Sequence, residues 1–198
     1  KATAKTHPDE KVGVFCRVGN ETRVVEYTEL GDEQREACDD QGRLRFRAGN
    51  IAIHLISTDF LLRDDGFQIP YHLARKALAY VKDGVTVEAT EPNSVRFESF
   101  LFDAIPFAKN PMIMEVRREE EFAPIKNLEG ADSPETARTL LQDQWESWLR
   151  EAGVTVPHGP DGIRNCRLEI SPLFATSAEE LRERVDPDLR IETDTVLE

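Results

Sequence analysis

The chain has 198 residues and a formal net charge of −13, with 39% hydrophobic and 32% charged residues. This balance predicts an ordinary soluble globular protein with one sizeable core, or one domain with a small appendage. The acidic surplus argues against binding to nucleic-acid backbones and to anionic membrane surfaces, although a local basic pocket for a small phosphate ligand remains compatible with it. No apolar run approaches the length of a membrane span.

The first residues predict strands and one surface helix. Two strand-like runs, 12–18 and 22–28, are separated by Gly19-Asn20-Glu21 and predict a β-hairpin. The polar stretch 29–42 predicts a short surface helix. The alternating segment 43–48 predicts a half-buried strand, which the pair Gly49-Asn50 then interrupts.

The middle of the chain alternates strand and helix signals. The apolar run 51–57 predicts a central strand of a sheet that is covered on both faces. The next patterns predict, in chain order, a helical turn capped by Ser57 or Thr58, a short helix running into a strand over 69–81, a strand over 94–98, helical spacing over 99–108 and a buried strand over 111–117.

The last third contains the clearest helix signal. Ser133 is the expected N-cap, Pro134 lies at the first helical position, and Gly153 ends the pattern. The turn-rich segment 154–165 predicts a linker or long loop, and it is followed by a strand over 166–175 and a helix capped by Ser177. Alternating strands and helices predict an α/β fold.

The cysteines and the first residues indicate the compartment and the extent of the chain. Three widely spaced cysteines, Cys16, Cys38 and Cys166, favour free thiols in a reducing cytoplasm over a disulfide framework. No cysteine or histidine spacing indicates a structural zinc site. The start is polar and contains neither a signal peptide nor an initiator methionine, so we expect the sequence to begin within a longer protein.

Three polar or glycine positions are candidates for ligand contacts. Gly13 interrupts a strand pattern, which indicates either a β-bulge or a close approach of a ligand to the backbone. Glu26 shares a face with Val24, so it is either an edge-strand carboxylate facing water or an acceptor for ligand hydroxyls or an amide. Asn50 is either part of a bulge or turn, or a donor and acceptor for a hydroxyl-rich ligand.

Aromatic and histidine side chains form a second group of candidates. Four phenylalanines lie at partly helical spacing, namely Phe97, Phe100, Phe102 and Phe107. Core packing is the simpler interpretation of these rings, and an aromatic wall beside a sugar is the alternative. His54 and His72 are isolated in the sequence. His54 lies in an apolar run, which favours a satisfied core histidine over a ligand or base.

The segment 117–127, RREEEFAPIKN, ends a charged run on a single lysine. The charges predict a solvated strand end. Pro124 fixes the local φ, and Phe122 and Ile125 are expected to anchor the turn, so that Lys126 is held in place. A positioned lysine is what phosphoryl or nucleotidyl transfer needs to offset charge, whereas an ordinary surface lysine is the alternative.

Seven motifs occur in one order along most of the chain: GVFCRV…VVEY, GRLRFRAGNIAIH, YHLARK, FESFLFDAIPFAKN, EVRREEEFAPIKN, GADSPETAR and LEISPL. Together they resemble the C-terminal half of the UDP-N-acetylhexosamine (UDP-N-acetylglucosamine) pyrophosphorylase family, within the UDP-sugar pyrophosphorylases. The resemblance implies part of a Rossmann-like, GT-A-like nucleotidyltransferase mixed sheet with flanking helices and a small C-terminal α+β region. The catalytic part is expected at 1–153 and the small region at 154–198.

The resemblance also implies a reaction and roles for matched residues. UTP and an N-acetylhexosamine 1-phosphate would give the UDP-sugar and pyrophosphate, with Mg²⁺ as cofactor. The residues implied to contact the sugar are Gly13, Glu26, Tyr27 and Asn50. Phe100 and Phe102 would line the N-acetyl end, and Lys126 would contact the sugar-linked phosphate.

The family's Gly-rich phosphate loop, uracil contacts and metal carboxylate belong to its N-terminal half and have no counterpart in this sequence. The chain is therefore expected to supply the sugar half of the site and to be inactive alone. The sequence reads RKALAYV where family members often read KKIPYV, which leaves the sugar preference open. The alternatives are a UDP-glucose or broad UDP-sugar pyrophosphorylase, and a non-catalytic fragment that binds a sugar nucleotide.

Overall fold

The computed structural model describes residues 1–198, which divide into two units, Lys1–Val116 and Arg117–Glu198. The elements of the first unit are β1 (Ala2–Ala4), β2 (Val14–Val18), β3 (Glu21–Val25), α1 (Asp32–Glu36), β4 (Ala48–Asn50), α2 (Thr58–Leu61), β5 (His72–Lys76), β6 (Tyr80–Lys82), β7 (Val85–Val87), β8 (Ser94–Glu98) and a 3₁₀ helix (Leu101–Phe107). Those of the second are α3 (Arg118–Glu121), α4 (Pro134–Glu151), β9 (Leu168–Ile170), α5 (Ala178–Arg184) and β10 (Thr195–Leu197). None of these helices is long and apolar enough to cross a membrane.

The largest sheet of the first unit has four antiparallel strands in the order β1-β4-β2-β3. Strands β2 and β3 form the predicted hairpin, and Gly19 in its two-residue turn has a φ of +61°, which glycine adopts without steric cost. The 3₁₀ helix packs against β3. The small core beneath these elements contains Ala2, Phe15, Val24 and Phe102. Two antiparallel ladders, β5 with β8 and β6 with β7, complete the unit.

Helix α4 is the main element of the second unit and confirms the predicted helix. The Ser133 hydroxyl accepts the N–H of Thr136, and the Thr136 hydroxyl oxygen accepts the N–H of Ser133, which is a capping box. The helix packs with α5 and with β9, which pairs in parallel with β10. Ser177 caps α5 as predicted.

The core of the second unit joins α4 to the segments that follow it. Its buried residues are Leu149, Val154, Val156, Cys166, Leu168, Ile170, Ala175, Leu181, Val185 and Ile191. The predicted linker 154–165 thus contributes two valines to this core. The boundary between the two units lies between residues 116 and 117 of the chain. The expected division at residue 153 remains a prediction about functional domains.

Two predicted strands are wrong because they lack the neighbours that a strand requires. Segment 43–48 contains only an isolated bridge between Leu44 and Cys38, followed by the first residue of β4. Segment 51–57 follows β4 without forming a strand, and Leu55 is 91% exposed. Gly49 and Asn50 belong to β4 and do not break it. An apolar run indicates a tendency to be buried, but a strand forms only when its N–H and C=O groups find a ladder partner.

The structure corrects three further predictions. The predicted helix within 69–81 begins instead as strand β5, because five residues of β5 pair with β8, and such pairing overrides local helix propensity. The predicted buried strand 111–117 forms only a bridge between Glu115 and Ala2, and Met112 is 90% exposed. The charges of 117–121 are solvated as predicted, but they form the short helix α3 and not a strand end.

The core of the second unit gives a stability prediction. Replacing the fully buried Leu181 by alanine is expected to lower the free energy of unfolding by roughly 2–5 kcal/mol, since apolar contacts are lost and a cavity remains. The same substitution at Leu173, which is 91% exposed, is expected to change it by less than about 0.5 kcal/mol. Urea unfolding measures both values, and equal losses would contradict the assigned core.

Candidate functional site

One end of the four-stranded sheet brings Gly13, Glu26 and Asn50 together. Asn50 is the last residue of β4, and its backbone N–H donates to the carbonyl oxygen of Gly13 at 2.8 Å. A Cβ atom built on Gly13 would lie 2.8 Å from Oε1 of Glu26 and 3.3 Å from the carbonyl oxygen of Val25. Any larger residue at position 13 would therefore displace the half-buried Glu26 carboxylate.

Tyr27 is held on a tight turn directly after β3. The N–H of Glu29 donates to the carbonyl oxygen of Glu26 at 2.9 Å, and Oε2 of Glu29 accepts the N–H of Glu26 at 3.0 Å. These two hydrogen bonds close the turn in both directions. Tyr27 is half-buried and is fixed next to Glu26.

The side chain of Asn50 is oriented by its own backbone. Its Oδ1 atom accepts the N–H of Ala52 at 3.0 Å, and Ala52 has a left-handed φ of +60°. This local contact is the kind that asparagine makes in turns. Because Oδ1 is engaged, the Nδ2 donors are the part of the amide that is available to a ligand.

Two phenylalanines that the resemblance implies to be near the N-acetyl group, Phe100 and Phe102, stack on each other. The rings of Phe100 and Phe102 have centroids 4.8 Å apart and an interplanar angle of 10°. Phe102 is buried in the core, while Phe100 is half-buried and precedes the 3₁₀ helix. Phe97 lies on β8 and is 67% exposed, so the core interpretation is wrong for this ring. Phe107 packs on Phe67, with ring centroids 5.1 Å apart.

His72 packs against this aromatic pair. The sequence did not indicate its contacts. Its Nε2 atom lies 2.8 Å from Oδ2 of Asp103, and its ring centroid lies 5.0 Å from that of Phe100. Its Nδ1 atom lies 3.8 Å from Oε1 of Glu29, which is an ion-pair distance when the imidazole is charged. Both partners are far away in the sequence, so no local pattern could have indicated them.

Lys126 belongs to the second unit and lies in a loop that closes just before helix α4. The carbonyl oxygen of Asp132 accepts the N–H of Lys126 at 2.7 Å and the N–H of Asn127 at 3.0 Å. The Nδ2 atom of Asn127 also donates to the carbonyl oxygen of Ala131 at 2.7 Å. The backbone of Lys126 is therefore fixed, while its side chain is exposed.

The predicted anchors of this loop are only partly correct. Phe122 is half-buried, and the guanidinium of Arg118 lies 4.9 Å from its ring centroid. Ile125 is 62% exposed and does not anchor the turn. The hydrogen bonds to Asp132, which has a φ of +52°, hold the loop instead.

A separate apolar cavity of about 840 Å³ lies in the first unit, with Phe15, His54, Phe107 and Met112 in its lining. The predicted sugar-contacting residues do not line it. The Nε2 atom of His54 is buried there and has no hydrogen-bond partner within the protein. His54 is half-buried and belongs to neither hydrophobic core, so the expected core position is wrong. Burial lowers the pKa of His54 because an imidazolium loses its hydration.

The side chains of this chain form neither a metal-binding cluster nor a disulfide. No group of three or more His, Cys, Asp or Glu side chains is arranged to hold a metal ion. The residues present therefore do not fit the Mg²⁺ that the resemblance implies. The three cysteines are free thiols, and burial raises the pKa of Cys16 and of Cys166.

The fold is shared with nucleotidyltransferases of the pyrophosphorylase class. A structure from Entamoeba histolytica, provisionally assigned as a UDP-N-acetylglucosamine pyrophosphorylase, matches 100% of this chain and 48% of its own length, with a TM-score of 0.81 and 30% identity. The UDP-N-acetylglucosamine pyrophosphorylase of Trypanosoma brucei matches 92% of this chain and 38% of its own length, with a TM-score of 0.67 and 31% identity.

The chain belongs to the UTP--glucose-1-phosphate uridylyltransferase family, whose profile matches residues 1–159. It is 39% identical over 199 residues to human UDP-N-acetylhexosamine pyrophosphorylase-like protein 1, and the match covers 91% of this chain and 39% of that protein. It is 40% identical over 193 residues to the UDP-N-acetylglucosamine pyrophosphorylase of Saccharomyces cerevisiae, and this match also covers 91% of this chain and 39% of that protein. The predicted family is confirmed, and the chain spans about two fifths of the length of these relatives.

Proposed function

We propose that the chain supplies the sugar-phosphate half of a uridylyltransferase site. The complete site forms a UDP-N-acetylhexosamine and pyrophosphate from UTP and an N-acetylhexosamine 1-phosphate. The observation that carries the proposal is the close packing at Gly13, where an added Cβ would lie 2.8 Å from the Glu26 carboxylate and where the carbonyl oxygen accepts the N–H of Asn50. The family match and the names of the relatives support it.

The proposed roles follow from the chemistry of the side chains. The Glu26 carboxylate accepts hydrogen bonds from sugar hydroxyls, and such charge-assisted bonds are stronger than neutral ones. Asn50 donates from Nδ2, and Tyr27 lies beside the sugar on its closed turn. Phe100, stacked on Phe102, offers an apolar face to the N-acetyl methyl group.

The reaction needs orientation and positive charge more than proton transfer. A phosphate oxygen of the sugar 1-phosphate attacks the α-phosphorus of UTP, a new P–O bond forms, and the bond to the leaving pyrophosphate breaks. The attacking oxygen is already anionic, so no general base is required. Lys126 is proposed to contact the sugar-linked phosphate and to offset its charge, a role supported by the family match and by its fixed backbone.

The remaining parts of the proposal concern the wider protein. We infer that the four-stranded sheet belongs to a larger Rossmann-like, GT-A-like sheet, as the family resemblance implies. The chain covers only 48% and 38% of the two similar solved chains, which leaves room for further strands in the whole protein. Mg²⁺, when bound, would neutralise phosphate charge, and its ligands are proposed to lie outside these residues. The free thiols support a cytoplasmic location.

Glu26→Gln tests the proposed function in the protein that carries this chain. We expect the wild type to release pyrophosphate from UTP with N-acetylglucosamine 1-phosphate faster than with glucose 1-phosphate. Glu26→Gln keeps the size but removes the charge. It is expected to lower kcat/KM for the N-acetylated substrate about tenfold, since a charged hydrogen bond is worth roughly 1.5–3 kcal/mol and the neutral one that glutamine can still make is worth roughly 0.5–1.5 kcal/mol.

The matched control is Glu21→Gln, which removes a carboxylate from the other end of β3, where it pairs with Arg23 on the surface. This variant is expected to stay within about twofold of the wild type, because exposed ion pairs contribute little. Wild-type protein that turns over neither sugar phosphate would contradict the proposed function. Equal losses in the two variants would contradict the role of Glu26.

A further inference from the structure

His72 connects three parts of the first unit that the sequence separates. It lies at the start of β5, its Nε2 atom is 2.8 Å from the Asp103 carboxylate on the 3₁₀ helix, and its ring packs on Phe100. Asp103 follows Phe102 directly. A change in this contact therefore acts on the backbone that presents both stacked rings.

The other ring nitrogen faces the turn that holds Glu26 and Tyr27. Nδ1 of His72 lies 3.8 Å from Oε1 of Glu29, while Oε2 of the same carboxylate accepts the N–H of Glu26 at 3.0 Å. Asp103, His72, Glu29 and the backbone N–H of Glu26 thus form one series of polar contacts. The series begins beside the aromatic pair and ends at the backbone of the residue whose carboxylate is proposed to bind the sugar.

We propose that His72 is a positioning residue that ties the Phe100–Phe102 pair to the Glu26 turn and thereby sets the affinity of the site for the N-acetylhexosamine. This inference rests on the proposed function. His72 itself does not touch the reacting phosphates, so it acts on the binding of the sugar phosphate and not on the chemical step.

The two ring nitrogens of His72 face two different carboxylates. Nε2 lies within hydrogen-bond distance of Asp103, and Nδ1 lies 3.8 Å from Oε1 of Glu29. The other charged group that faces His72 is Glu98, its cross-strand neighbour on β8, whose carboxylate lies 3.8 Å from Arg96.

The kinetic test compares His72→Gln with wild type at a single pH, using N-acetylglucosamine 1-phosphate and UTP. We expect the variant to raise the KM for the sugar phosphate about threefold to tenfold, because glutamine lacks the ring that packs on Phe100 and faces both carboxylates. Its kcat is expected to stay within about twofold of the wild type. The control His7→Gln replaces an exposed histidine and is expected to leave both values unchanged.

Amide hydrogen exchange gives a readout that does not depend on activity. The N–H of Glu26 is expected to exchange several-fold faster in His72→Gln, while the N–H of Val24 within β3 is unchanged. Unchanged exchange at Glu26, or a His72→Gln variant with the wild-type KM for the sugar phosphate, overturns the positioning role. If the wild type turns over no sugar phosphate, the proposed function fails, and the exchange at Glu26 still decides whether His72 holds the turn.

Discussion

Replacing Lys126 by alanine is expected to lower kcat by roughly 100-fold to 1,000-fold in the protein that carries this chain. That range is what loss of one preorganised group facing developing charge costs in other enzymes. The backbone N–H of Lys126 keeps its hydrogen bond to Asp132 in the variant, and the side chain is exposed, so the fold is expected to stay intact. Steady-state release of pyrophosphate measures kcat, and thermal unfolding checks the fold.

The control for this substitution is Lys82→Ala on strand β6, which removes the same charge from an exposed position in the first unit. We expect this variant to retain kcat within about twofold, since a single surface charge has little effect. Near-normal turnover by Lys126→Ala would contradict the role of this lysine. A comparable loss in Lys82→Ala would show that net charge matters and not the position of Lys126.

Replacing Gly13 by alanine is expected to lower kcat/KM for the sugar phosphate by about tenfold to 100-fold. The new Cβ would lie 2.8 Å from Oε1 of Glu26 and 3.0 Å from Cγ1 of Val24, so the carboxylate must leave its position. A shift of about 1 Å in a binding group can cost this much, because the substrate is no longer held in a reactive geometry. Initial rates at varied sugar phosphate give kcat/KM.

Gly31→Ala provides a steric control for Gly13→Ala. A Cβ on Gly31 would lie 2.7 Å from Oε1 of Gln34, again the end of a flexible side chain, but at the start of the surface helix α1. Its φ of −64° and ψ of 160° suit alanine. We expect wild-type kinetics for this variant, and unchanged kinetics for Gly13→Ala would contradict the tight placement of Glu26.

Local sequence signals predict the parts of the fold that local interactions determine. Gly19 indicates the hairpin turn, and Ser57, Ser133 and Ser177 indicate helix starts, because turn and cap chemistry involve residues within four positions of each other. Segment 51–57 shows the opposite case. Its apolar character indicates burial, but nothing in a single sequence shows which strand would pair with it.

The candidate site also contains residues that the sequence indicates and contacts that only the folded structure shows. The motif resemblance indicates Gly13, Glu26 and Asn50, and the register of the sheet explains their proximity. Sequence reasoning treats His72 as isolated, because its contacts with Asp103 and Glu29 exist only after β5, the 3₁₀ helix and the turn after β3 have packed. Likewise, the loop of Lys126 is held by Asp132 and not by Ile125, since backbone hydrogen bonding is not visible in side-chain patterns.

The most direct test of the sugar site is a crystal structure of the protein that carries this chain with UDP-N-acetylglucosamine bound. We expect hexosamine hydroxyls within roughly 2.6–3.2 Å of the Glu26 carboxylate and of Nδ2 of Asn50. We also expect the acetamido methyl group to pack against the ring of Phe100. A hexosamine ring in the apolar cavity beside His54, with no contact to Glu26 or Asn50, would contradict it.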